Sequence, residues 1–262
     1  MSGGFSPVSR ISLVGGGWDA PEVYGPLLRA AGGGRIGCVV VDEGDGAEQF
    51  ARYAEALRSA GAEAVPLLVP LGGRFEPDAL LANAPAGLLV CGGLTPAYQQ
   101  AFAECAERLT GLLAEHRIPY AGFSAGAALA ARRAVVGGWL ADGVPVCPPD
   151  TAEDLDEVAV RPGLGLVPFA VDVHAAQWGT LGRLVAAVSR GSVRYGVAID
   201  ENTVLEVPEM PEAAEATDGR GRVGGRGRVH VVRPAADGDP AGAVVRSYAP
   251  GESVPLGQPP LP

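Results

Sequence analysis

Ile118-Pro119-Tyr120-Ala121-Gly122-Phe123-Ser124-Ala125-Gly126-Ala127 reads as a strand, a G-x-S-x-G turn and the start of a helix. A sharp strand-to-helix turn lifts a serine hydroxyl out of a sheet, small neighbours relieve the crowding, and the N–H after the serine can face a developing oxyanion. Ala128-Leu129-Ala130-Ala131 continues as a good helix former. Ser124 is therefore a candidate nucleophile; the competing reading is a tight glycine turn with a bystander serine.

Upstream of this turn, Ile11–Val14, Ile36–Val41, Ala64–Val69 and Gly87–Cys91 are short apolar runs bounded by glycine, proline or acid, the pattern of strands buried on both faces. Helical stretches, Pro21–Ala31, Ala47–Ala60 and Pro96–His116, alternate with them. The fold class this implies is α/β, a doubly wound, mostly parallel sheet flanked by helices. Ser124 then falls at the carboxyl end of the fifth strand, where open α/β sheets hold their ligands.

After Arg132, Val-rich segments at Ala134–Val136, Leu164–Val173, Val193–Ile199 and Thr203–Val207, with a helix near Trp178–Ser189, are expected to extend the sheet. Residues 209–228 read as a polar, glycine- and arginine-rich connector, and Val229–Val232 with Ala243–Tyr248 as a C-terminal strand pair before a tail. Gly225-Arg226-Gly227-Arg228 is read as a solvated hairpin loop rather than an RNA-binding tract. The acidic cluster from Asp150 to Glu157 has no calcium-loop spacing and reads as a solvated loop. One domain over residues 1–262, with its core at about 10–207, is the expected organisation.

A formal net charge of −10 and a pI near 4.8 argue against nucleic acid or an anionic membrane as partner. The chain has no lysine, which removes P-loop, Schiff-base and Ser-Lys chemistry. Cys38, Cys91, Cys105 and Cys147 are widely spaced and read as reduced core residues. With no signal-like start and no membrane-length apolar run, the expected location is the cytoplasm. No metal or cofactor is expected, and a homodimer is left open.

A serine nucleophile needs a base, and the chain has only His116, His174 and His230. His116 closes a helix and His230 lies in the terminal strand pair, whereas His174 stands where an apolar strand gives way to a helix. The base in turn needs an acceptor. Asp172, two residues away on the same strand, and Glu201, after Gly196–Ile199, both qualify, and the residues alone do not choose between them.

Four blocks occur in order: Leu89-Val90-Cys91-Gly92-Gly93, Gly122-Phe123-Ser124-Ala125-Gly126-Ala127, Asp172-Val173-His174 with Gly182-Arg183-Leu184, and Gly196-Val197-Ala198-Ile199-Asp200-Glu201. In this order they resemble the peptidase S51 family of dipeptidase E and cyanophycinase, whose core is similar to class I glutamine amidotransferases with serine in place of cysteine. The resemblance spans roughly residues 10–207. It implies Ser124 as nucleophile, His174 as general base, Glu201 as its orienting acid, and an oxyanion hole from the N–H groups of Gly93 and Ala125. The implied activity is serine-type hydrolysis of a small peptide or amide. A catalytically altered binding or regulatory member of the same fold is the alternative.

Departures from the family bear on substrate. Gly92-Gly93-Leu94-Thr95 replaces a Gly-Gly-Asp-Gln type of block, and Asp172-Val173-His174 replaces Asp-Gln-His. Cyanophycin is therefore not the expected substrate. Thr95, Asp172, Trp178 and Arg183 are the substrate-facing candidates, with Arg183 expected to receive an acidic group near the scissile bond. Glycines 15–17 follow the first strand but lack the dinucleotide-binding spacing, so a plain loop is expected there.

Overall fold

The computed structural model describes residues 10–208, 219–235 and 242–257. Five strands, β1 (Ile11–Val14), β2 (Arg35–Asp42), β3 (Glu63–Pro70), β4 (Gly87–Val90) and β5 (Tyr120–Phe123), pair in parallel in the order β1-β5-β4-β2-β3. The helices α1 (Gly25–Ala31), α2 (Gly46–Ser59), α3 (Asp78–Asn83), α4 (Thr95–Phe102) and α5 (Ala106–Glu115) connect them. Successive side chains point to opposite faces of a strand, so each apolar strand serves two cores. Leu13, Val39, Val41, Leu88, Val90 and Tyr120 pack with Tyr98, Phe102, Leu109 and Leu113 of α4 and α5. Val14, Cys38, Val40, Leu89, Ala121 and Phe123 pack with Leu27, Tyr53 and Leu57 of α1 and α2. The result is a mixed α/β architecture with a large, mostly parallel central sheet flanked by helices.

Beyond the elbow helix α6 (Ala125–Leu129) the chain departs from a simple extension of the sheet. β6 (Arg133–Gly137) pairs with β9 (Ala159–Pro162), and β7 (Leu140–Ala141) with β8 (Val144–Pro145). β10 (Ala170–Val173) and β11 (Gly196–Ile199), joined through α7 (Leu181–Ser189), lie parallel in a separate four-stranded sheet. Of the four Val-rich segments only β12 (Thr203–Val207) joins the main sheet, antiparallel to β1, and β13 (Arg220–Gly225), inside the expected connector, pairs beside it. β14 (Val229–Pro234) and β15 (Ala243–Tyr248) form the C-terminal strand pair against β11, and β16 (Ser253–Pro255) closes the main sheet beside β13. Connector residues 209–218 and tail residues 258–262 lie outside the described residues.

The second sheet is not detached. Val171, Val173, Val197, Ile199, Val229 and Val231 belong to the same apolar core as Leu13 and Val90, so the carboxyl ends of β10 and β11 are anchored through one continuous interior. The helix expected over Pro96–His116 is broken between α4 and α5, because the Ala101 carbonyl accepts the Phe75 N–H (2.9 Å) instead of an amide further along a continuing helix.

The elbow itself is a backbone-on-backbone contact. A Cβ on Gly126 would stand 2.1 Å from the Val90 carbonyl oxygen, and one on Gly122 would stand 2.3 Å from the Gly126 oxygen. Backbone cannot yield as a flexible side chain does. Gly126→Ala is therefore expected to cost about 3 kcal/mol, the upper end for overpacked sites, in urea denaturation. A variant as stable as the parent would show that the elbow has slack.

Candidate active site

Ser124 joins β5 to α6 at φ 52° and ψ −112°, a conformation costly for any residue with a side chain. Its own amide bonds the Val14 carbonyl at the end of β1 (2.9 Å), and its carbonyl accepts the Ala127 N–H of α6 (2.8 Å), so bonds to β1 and α6 hold the strained conformation. The Ser124 Oγ is 2.8 Å from His174 Nε2, and His174 Nδ1 is 2.8 Å from Glu201 Oε1. Those contacts define one tautomer: Nδ1–H donates to the carboxylate, and Nε2 accepts the serine hydroxyl.

Three loops carry this chain of contacts. His174 leaves the end of β10 at φ 55°, its amide on the Gly15 carbonyl (3.0 Å). Glu201 leaves the end of β11, its amide on the Gln177 side-chain oxygen (2.8 Å). The Gly16 carbonyl takes the Asn202 N–H (2.7 Å), while Asn202 Oδ1 takes the Asp19 N–H (2.9 Å). Gly16, at φ 103°, lies so close to the imidazole that a Cβ there would be 2.1 Å from Cε1. The loop at residues 15–17 is thus the platform on which the histidine rests, a role that no local signal announces.

Burial of the His174 ring pushes its pKa below the ordinary value, against the opposing pull of the Glu201 carboxylate. Trp178 donates its amide to the His174 carbonyl (2.8 Å) and stacks on the imidazole, with centroids 3.8 Å apart and planes within 7°. Gly92 brings the end of β4 against the serine; a Cβ on it would be 3.0 Å from Ser124 Cβ. The N–H groups of the next residue, Gly93, and of Ala125 donate no hydrogen bond among the described residues.

Other candidates lie elsewhere. Arg183 is only 4 % exposed and grips Asp172, itself 1 % exposed, through two bonds of 2.9 and 2.7 Å. Its third nitrogen bonds the Thr151 carbonyl (2.7 Å). Both side chains are consumed inside the protein, which corrects their expected substrate contact; a fork already saturated has nothing to offer a ligand. Thr95 is also buried, and its amide bonds Glu153 Oε2 (2.8 Å). Among the three histidines, His230 meets Ser247 Oγ (2.7 Å) and Asp200 Oδ1 (3.1 Å) rather than Ser124. Asp200 also accepts the Ala176 and Arg228 amides, so it ties the loops after β10 and β11 together. Burial works against its charge, but these donors hold its carboxyl below the usual range.

A cleft of about 1130 Å³ opens over the serine. Its walls include Trp18, Tyr53, Gly93, Phe123, His174 and Trp178, and the 149–156 segment forms one side. The acidic cluster is therefore a wall of the cleft and not simply a solvated loop. Glu153 is its anchor, reaching inward to the Thr95 amide, and burial pushes its carboxyl up. Among the described residues no group of His, Cys, Asp and Glu is arranged to hold a metal ion.

No protein-family model matches the sequence, and no curated protein matches it. Among solved structures, the chain is similar to a protein from Listeria monocytogenes EGD-e provisionally named peptidase E, with 14 % identity and a TM-score of 0.52. The likeness covers 75 % of this chain and 93 % of that one. At that identity it establishes a shared fold.

Two outcomes test this geometry. Gly16→Ala should displace the imidazole and remove the downfield proton resonance of the His174 Nδ1–H that a carboxylate-bound imidazole gives; an unchanged resonance would contradict the packing. Arg183→Met should cost about 3–5 kcal/mol in urea denaturation, because it strands a buried carboxylate, and adding Asp172→Asn should recover part of it. A single variant within about 1 kcal/mol of the parent would show that the pair is dispensable.

Proposed function

We propose that this chain is a serine-type hydrolase of small peptides or amides. The observation that carries the reading is the unbroken contact series from Ser124 Oγ through His174 to Glu201, at the floor of an open cleft. A buried imidazole with a depressed pKa is neutral near pH 7 and ready to accept a proton.

In this mechanism His174 Nε2 takes the hydroxyl proton as Ser124 Oγ attacks the scissile carbonyl carbon. Glu201 accepts the Nδ1–H throughout, fixes the ring and offsets the positive charge that forms. The unpaired N–H groups of Gly93 and Ala125 receive the oxyanion of the tetrahedral intermediate. Imidazolium then returns the proton to the leaving nitrogen, the C–N bond breaks, and an acyl-Ser124 ester remains. Water, deprotonated by the same imidazole, attacks the ester and releases the acid and the free serine. The strained elbow supports this reading, because strain held by surrounding structure keeps the hydroxyl where the reaction needs it. The fold shared with the Listeria protein is compatible with it.

A fluorophosphonate probe decides the nucleophile: labelling is expected at Ser124 and lost in Ser124→Ala. Labelling at Ser247, which also contacts a histidine, or none at all, would overturn the proposal. Ser124→Ala should lower kcat by several powers of ten, on the order of 10⁶, with the fold unchanged by circular dichroism. The acid limb of the kcat/KM profile should fall below the ordinary histidine value of about 6.5, since activity is lost as pH drops through a depressed pKa. Glu201→Gln removes a group that raises that pKa, so it should move the limb lower still and cut kcat by on the order of 10⁴. A limb displaced upward would contradict the assignment.

A further inference from the structure

The cleft above Ser124 carries charge of one sign. Asp19, Glu43, Asp150, Glu153, Asp154 and Asp156 line it in addition to Glu201, and Arg52 is the one arginine among its described walls. Three of these acids have internal duties: Glu43 accepts the Leu94 amide (2.8 Å), Glu153 the Thr95 amide (2.8 Å), and Asp156 the Trp139 indole N–H (3.5 Å). Asp19, Asp150 and Asp154 are exposed, and their carboxylates take no hydrogen bond or ion pair among the described residues.

A second observation is independent of that charge. All three tryptophans of the chain, Trp18, Trp139 and Trp178, stand in the walls of this one cleft. Trp18 already carries a cation, because the Arg52 guanidinium lies 3.9 Å from its ring centroid. Aromatic faces beside unpaired carboxylates are what a cation gains from, through the ring quadrupole and through Coulomb attraction focused by the cleft walls. An anionic substrate meets repulsion that only Arg52, lying over Trp18, stands in the described walls to offset, since Arg183 is buried against Asp172.

We propose that the substrate presents an ammonium or guanidinium group beside the scissile amide, held by Asp19, Asp150 and Asp154 and by the exposed side of Trp178, whose other face carries the His174 imidazole. The inference rests on the serine-hydrolase reading and replaces the expected acidic substrate with a basic one. The cation has two sources, the free α-amine of a short peptide or a basic side chain.

The test is kinetics on matched amides: lysine against norleucine, arginine against citrulline, and glutamate, each with the α-amine free or acetylated. The charged member of each isosteric pair is expected to have a kcat/KM roughly tenfold or more higher at low ionic strength, with glutamate poorest. Raising the salt to about 0.5 M should erode the preference, as should the triple change Asp19→Asn, Asp150→Asn, Asp154→Asn. Preference that survives acetylation assigns the site to a basic side chain; activity restricted to free amines, whatever the side chain, assigns it to the α-ammonium. Equal rates for lysine and norleucine in both the free and the acetylated series, with acetylation without effect, overturn the inference, and so does preference for glutamate. Fluorophosphonate labelling separates the two readings. If Ser124 does not react, the hydrolase reading fails, and calorimetric binding of lysine amide against norleucine amide and acetyl-lysine amide decides the charge alone, with equal affinity for all three overturning it.

Discussion

A sheet buried on both faces leaves polar chemistry only at its ends. β1, β4 and β5 have buried side chains on both faces, so their first polar opportunities come where the strands stop. Ser124 and Gly93 stand just beyond those carboxyl ends, and His174 and Glu201 stand just beyond those of β10 and β11. Two sheets sharing one core therefore aim four strand ends at one place. Everything else at the site depends on that convergence.

Holding the convergence requires polar contacts of two kinds. Backbone does most of it, with the loop at residues 15–17 bonded to His174 on one side and Asn202 on the other. Buried charge does the rest: Asp172 with Arg183 ties β10 to α7 and to the Thr151 carbonyl, and Asp200 links the loops after β10 and β11 to the turn before β14. Such ion pairs give little net stability compared with apolar replacements, but losing one member strands a charge. Their effect here is positional. Asp172 lies two residues from His174 yet faces Arg183, which leaves Glu201 as the carboxylate on the imidazole.

The cleft has a chemistry distinct from the floor. Its floor is aromatic and backbone-rich, whereas its rim from Asp150 to Asp156 is acidic and pinned by Glu153 to the start of α4. The Ser124–His174–Glu201 contacts, set by short-range geometry, thus sit under a long-range field set by the rim, and no side chain of that contact series belongs to the rim segment.

Local signals made much of this protein legible. The first five strands alternate with helices, and their apolar runs mark a parallel sheet because burial on both faces leaves no polar alternation. Ser124 is legible because an elbow needs glycine on both sides of it, and the steric cause lies within five residues. His174 is legible by its place where an apolar strand gives way to a helix, whereas the residues alone leave Asp172 and Glu201 open and only the family resemblance points to Glu201. Hidden from the sequence were the split of the later strands into a second sheet, the break between α4 and α5, and the burial of Arg183. The role of glycines 15–17 was hidden as well, since a loop that seats an imidazole looks like any glycine-rich turn. Each of those depends on which distant backbone supplies a hydrogen bond or which distant charge fills a cavity, and residues far apart in the chain carry no local trace of that meeting. The sequence by itself determined the first five strands, the elbow and the sign of the overall charge; the tertiary structure decided where the later strands pair, which polar groups are spent inside the protein and which face the cleft.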